Sequence, residues 1–205
     1  LIEQNISAKT KVLIFTSPNN PTGVALSEDE AKKLEDLVDK YDLWLLVDEV
    51  YAELMFEKPF VSCLSLRKVR NKTVVVGSLS KSHAMTGWRT GWAIGPTDLI
   101  QHMVTLALCM LFGSPGFVQA GALKALTGSQ EPTTLMRNAY RNRAQMVSTK
   151  LANLSGLQVV KPDAGMFCLL NIGGMGMTGL EFSKELYAKT GVSVLAGKPF
   201  GDNLK

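Results

Sequence analysis

Apolar positions in the first part of the chain fall into short unbroken runs separated by turns and by one clear helical repeat. The run KVLIFTSP predicts a buried strand over 12–16, stopped by SPNNPTG, a turn with two prolines and a glycine. In SEDEAKKLEDLVDKY the period changes: Leu34, Leu37, Val38 and Tyr41 recur three and four apart, and Ser27 with Glu30 makes a capping box that starts a helix. LWLLVDEVY then returns to a continuous apolar run closed by acids, which predicts a strand buried on both faces with its polar residues emerging at the carboxyl end. Strand, helix, strand is the rhythm of an α/β domain.

Two more runs, TVVVGSLS at 73–80 and GWRTGWAIG at 87–95, continue the strand pattern. A Leu- and Met-rich helix is expected from about Asp98, and another from Pro115 to Leu126, with Ser114 as cap and Gly128 just past its end. From about Pro132 the texture changes to a long helical pattern over 132–154. It is followed by LQVVKP, GMFCLLNI, and a second capping box, Thr178/Glu181, opening a helix that ends at Gly191. VSVL, 192–195, reads as the start of another strand. The expected division places 1–130 in a larger α/β domain with a mostly parallel sheet and 131–205 in a smaller α+β domain.

Composition narrows the function. Of 205 residues, 46% are apolar and 20% charged, which is the make-up of an ordinary globular protein, and the net charge of +4 is spread along the chain. The densest basic cluster, RNAYRNR from Arg137 to Arg143, reads as the solvated face of a helix, so no nucleic-acid partner is expected. Cys63, Cys109 and Cys168 are scattered without a CxxC, and His83 and His102 lack a nearby carboxylate at ligand spacing, so no metal site is expected. Such cysteine usage fits a reducing compartment; with no bilayer-length apolar run and no signal-like start, a cytoplasmic location away from membranes is expected. The chain opens on LIEQNISAKTK without a methionine and stops at GKPFGDNLK, which suggests a fragment.

Two phosphate-hydrolase hints fail. LWLLVDE resembles the acidic strand of a nucleotidase, but GSLSKS has Ser80 where a phosphate loop needs glycine and Val75 where it needs another, and the order of the two is reversed. No GxSxG elbow supports a serine nucleophile.

What remains is a lysine. Lys81 follows the TVVVGSLS strand, flanked by Ser78 and Ser80, with Arg89 eight residues on; Gly87 and Gly91 would let the backbone beside Arg89 approach its neighbours closely. Asp48 closes a buried strand, where a carboxylate is costly without a positive partner, and Tyr51 and Asn20 lie at strand ends nearby. Pyridoxal 5'-phosphate needs such a set: an amine for its aldehyde, a carboxylate for its ring nitrogen, donors for its phenolic oxygen and for its phosphate. Lys81, Asp48 and Arg89 must then converge on one hollow.

SPNNPTG, VDEVYAEL and SLSKSHAMTGWRTGW, in this order and spacing, resemble the class I/II aminotransferases of fold type I over nearly the whole chain. The resemblance implies Lys81 as the Schiff-base lysine and general base, Asp48 on the pyridine nitrogen, Asn20 and Tyr51 on the phenolic oxygen, and Ser78, Arg89 and, less firmly matched, Ser80 on the phosphate. It implies amino-acid and keto-acid substrates, and a homodimer toward whose partner site CMLFGSPGFVQ reaches; the residues of that segment read equally as a helix-linking turn. Family members carry a further phosphate loop and a ring-stacking aromatic before the region matched here, and an α-carboxylate-binding arginine after it. Arg137, Arg141 and Arg143 do not match that arginine, so these residues alone are expected to bind cofactor weakly and to transaminate little or not at all. Aminocyclopropane carboxylate synthase, a carbon–sulfur lyase, or the sensing domain of a transcriptional regulator are the alternative readings.

Overall fold

A computed structural model of the chain describes residues 1–201, so the last four residues of GKPFGDNLK lie outside the described residues. The four apolar runs form one sheet in the order β1 (Val12–Thr16), β2 (Trp44–Asp48), β3 (Thr73–Ser78), β4 (Gly91–Ile94). The first three strands are parallel and the fourth is antiparallel to β3, giving a mixed, mostly parallel α/β sheet. Helix α1 (Glu28–Lys40) links β1 to β2 and starts at the Ser27/Glu30 capping box, where Ser27 N donates to Glu30 Oε2 at 2.9 Å and Glu30 N to Ser27 Oγ at 3.3 Å.

The apolar stripe of α1 buries Ala31, Leu34 and Val38 against Leu45 and Val47 of β2, Val75 of β3, and Cys63, Leu66 and Val69 from the β2–β3 connection. Among the described residues only one sheet face is covered in this way. Leu45 and Val47 are fully buried, whereas Trp44, Leu46 and Asp48 on the other face are half-buried, and Ile14 of β1 is 68% exposed. β2 therefore differs from the expected strand buried on both faces: its unbroken apolar run cannot reveal that α1 and residues 63–69 all lie on one side.

A single helical turn, α2 (Leu79–Ser82), follows β3 directly. After β4 come α3 (Thr97–Leu111), α4 (Gly116–Thr127) and α5 (Glu131–Leu151), then the hairpin β5 (Gln158–Val160) and β6 (Leu169–Asn171), and α6 (Gly179–Thr190). Ser114 does not cap α4. Pro115 holds the N-cap position, and the Ser114 carbonyl accepts from Gln119 Nε2 instead. The Thr178/Glu181 box and the left-handed Gly191 bound α6 as expected. Residues 192–195 form no strand: Val192 N turns back to Thr190 Oγ1, and Val194 and Leu195 line a separate hollow with Cys168 and Phe182 rather than a sheet edge.

A strap at 162–165 ties the later part of the chain to residues 23–25 and 54–56. Asp163 N and Ala164 N both donate to Gly23 O, Asp163 Oδ2 accepts from Ala25 N, Phe56 N donates to Asp163 O, and Gly165 N donates to Leu54 O. This strap pins the turn after β1 and the segment after β2, the two places from which Asn20 and Tyr51 project. Among the described residues no helix is long and apolar enough to cross a membrane and no metal-binding cluster occurs.

Candidate active site

Three parallel strands end at one rim of the sheet, and the residues that follow each end face a common cleft of about 530 Å3. Asn20 follows β1, Asp48 ends β2 with Tyr51 just after it, and Ser78 ends β3 with Ser80 and Lys81 on α2. Arg89 enters from the approach to β4. All seven of these residues line that cleft. Thr16, Val50, Val76, Gly77 and Thr86 line it as well. They belong to strands and turns whose patterns report only local structure, so nothing in the sequence singled them out.

Asp48 is held by its own turn, with Oδ1 accepting from Val50 N at 3.0 Å. It is half-buried and has no cationic partner among the described residues, so one carboxylate oxygen remains for a ligand. Tyr51 is only 4% exposed. Burial raises its phenol above the ordinary value, the nearby Asp48 charge adds to the rise, and the Asn20 side chain at its hydroxyl pulls the other way. Its ring meets Phe167 edge to face. In the sequence Phe167 belongs to the GMFCLLNI run, with no sign of this contact.

Ser78 caps α2. Its Oγ accepts from Ser80 N at 3.0 Å, lies 2.8 Å from Ser80 Oγ, and donates to Thr90 O at 2.9 Å. The hydroxyl thus ties the end of β3 to the residue after Arg89. The side chain of Lys81, half-buried on the same turn, makes no hydrogen bond or ion pair among the described residues.

Arg89 adopts a left-handed conformation with φ +51°, and its Nη1 donates to Thr86 O at 2.9 Å. A non-glycine residue in that region costs energy and is held there by its surroundings. The two neighbouring glycines differ. A Cβ on Gly91 would sit 2.5 Å from Gly77 O, which confirms a close backbone approach, whereas one on Gly87 would meet nothing within 4 Å, against the expectation for that position. The reason is location: Gly91 lies in the β3–β4 ladder, and Gly87 lies on an open turn.

The arrangement supplies an unpaired amine, an unpaired carboxylate, a buried phenol, an amide and a guanidinium around one cleft. This donor set fits an aldehyde-bearing, phosphorylated aromatic ligand.

Comparison with known proteins identifies the family. The family described as aminotransferase class I and II matches residues 1–202. The arginine–pyruvate transaminase of Pseudomonas aeruginosa is 44% identical over 96% of the chain and 50% of its own length. An aspartate aminotransferase of Bacillus subtilis is 33% identical over 98% of the chain and 53% of its own. The solved aromatic aminotransferase of Pyrococcus horikoshii superposes with a TM-score of 0.93 at 31% identity, covering 98% of the chain and 54% of its own. The chain thus spans about half the length of the relatives it matches. With the family match running along nearly all of it, the chain belongs to the class I and II aminotransferases, with the fold-type I architecture of that family.

Proposed function

We propose that the protein moves an amino group between an L-amino acid and a 2-keto acid, and that Lys81 is the amine that anchors pyridoxal 5'-phosphate. The observation that carries this is the meeting of Lys81, Asp48, Tyr51, Asn20, Ser78, Ser80 and Arg89 around one cleft. Bound there, the pyridoxal ring would act as an electron sink that stabilises negative charge at the substrate α-carbon. The remaining work falls to the chain. Asp48 would offer its free carboxylate oxygen to the ring nitrogen, Tyr51 and Asn20 would offer hydrogen bonds to the phenolic oxygen, and Arg89 with Ser78 and, less firmly matched, Ser80 would gather the phosphate. Lys81 would serve as the base that takes the proton from the substrate α-carbon.

Further parts of this reading rest on other features. We place residues 1–130 in the larger, cofactor-binding domain and 131–205 in the smaller one. The broad apolar face of α3, with Met103, Leu106, Met110 and Leu111 exposed, supports a second copy of the chain as partner through this edge. Three free cysteines support a reducing, cytoplasmic setting.

The test is borohydride reduction of the full chain at saturating pyridoxal phosphate, followed by peptide mapping. Label on Lys81 is expected. Label on another lysine, or none, overturns the reading.

A further inference from the structure

His83 stands two residues beyond Lys81, at the C-cap of α2, and its two ring nitrogens have different partners. Nε2 lies 3.1 Å from Gln130 Oε1 and Nδ1 lies 2.8 Å from Ser82 Oγ. The Gln130 amide nitrogen donates to Ala125 O at 2.9 Å and to Gly128 O at 3.0 Å, which uses both of its hydrogens. Oε1, an acceptor only, is therefore the atom that faces the ring. The neutral ring must then carry its proton on Nε2, leaving Nδ1 to accept from the Ser82 hydroxyl, whose other acceptor, Ser78 O, is farther away at 3.4 Å.

A second tie runs beside this one. Thr133 Oγ1 donates to Ser82 O at 2.9 Å in a buried setting. Gln130 is the N-cap of α5 and Thr133 lies in its first turn. The four-residue α2 is thus fastened at two points to the start of a 21-residue helix. It needs that support, because a single turn has little stability of its own. The next residue, Ala84, sits at φ +53°, a conformation that surrounding structure must hold in place.

We propose that His83 and Gln130 are a positioning pair that locks the turn carrying Lys81 to the first turn of α5, so that the amine and the long helix move as one body. The inference rests on the reading of Lys81 as the anchoring amine. His83 touches no reacting atom in it; it acts through the backbone of α2.

The chain contains only two histidines, His83 and His102, so the ring nitrogens are assignable by long-range 15N–1H correlation. In its neutral form His83 is expected as the Nε2–H tautomer, with that bias lost in Gln130→Ala. A second readout is competitive acylation of Lys81 measured against the exposed Lys9. Release of the turn in His83→Ala or Gln130→Ala should raise Lys81 labelling about threefold, as a marginal element opens more often. His83→Gln, whose amide keeps an N–H for Gln130 Oε1 and an acceptor for Ser82, should restore the wild-type rate. An unbiased or Nδ1–H ring in the unmodified chain, unchanged labelling in both alanine variants, or a glutamine variant that behaves like alanine would each overturn the pair. The tautomer and the acylation need no cofactor. Borohydride label on a lysine other than Lys81, with both readouts as expected, would therefore support the tie and sink the cofactor reading alone.

Discussion

Tyr51 and Phe167 meet edge to face, ring centroids 5.2 Å apart and planes at 80°, although 116 positions of sequence separate them. One ring follows the end of β2 and the other follows the 162–165 strap, so the phenol in the cleft is braced by the far part of the chain. Phe167→Leu keeps an apolar side chain but removes the edge contact. It should cost about 0.5–1.5 kcal/mol, read from urea unfolding midpoints.

Glu49, next to Asp48, turns away from the cleft into a buried position. Its carboxylate accepts from Cys63 N at 2.7 Å and from Ser62 Oγ at 2.8 Å. Burial raises its pKa above the ordinary 4.5, outweighing those two donors, which lower it. A raised folded-state value means that the native chain holds this proton more tightly than the unfolded one. The contribution is fully present below about pH 4.5 and is lost as pH rises through the folded value. Glu49→Gln should remove this trend. Its stability relative to wild type should increase as pH rises from 4 toward neutrality, as urea midpoints across that range would show. Glu49→Ala, which strands the Cys63 amide, should cost about 1–3 kcal/mol.

The glycines beside Arg89 should respond in opposite directions. Gly91→Ala forces a methyl group against Gly77 O and should destabilise by about 1–3 kcal/mol. Gly87→Ala meets open space on a turn without positive φ, and should be neutral or stabilise by up to about 1 kcal/mol. Thermal unfolding of the two variants side by side checks both.

Cysteine reactivity should follow burial. The Cys63 thiol is pushed up to about 12, first by burial and then by the Glu49 charge. Cys168 is raised by burial, and Cys109 is exposed. Iodoacetamide at mildly alkaline pH should therefore modify Cys109 first, Cys168 slowly and Cys63 only on unfolding, in an order that peptide mass spectrometry reads directly.

Local signals carried far along this chain. The Ser27/Glu30 and Thr178/Glu181 boxes mark their helices because both partners of a cap lie within four residues of each other. Strand ends could be read because an apolar run that meets Asp48 or Ser78 changes chemistry abruptly. Which face of β2 is covered could not be read, since that depends on where α1 packs. Residues 192–195 failed for a related reason: a strand needs a partner, and period alone does not supply one. Phe167 and Gln130 were invisible because their significance comes from contacts made across the fold, with Tyr51 and His83.

Along α3, Met103, Val104, Leu106, Leu108, Met110 and Leu111 point in several directions and all are exposed. So broad an apolar face, opposite a stripe of Asp98, Gln101, His102 and Thr105, is a poor companion for water. In dilute solution it will recruit whatever greasy surface it meets, so the purified chain should change its sedimentation with concentration and light up environment-sensitive dyes while remaining fully folded.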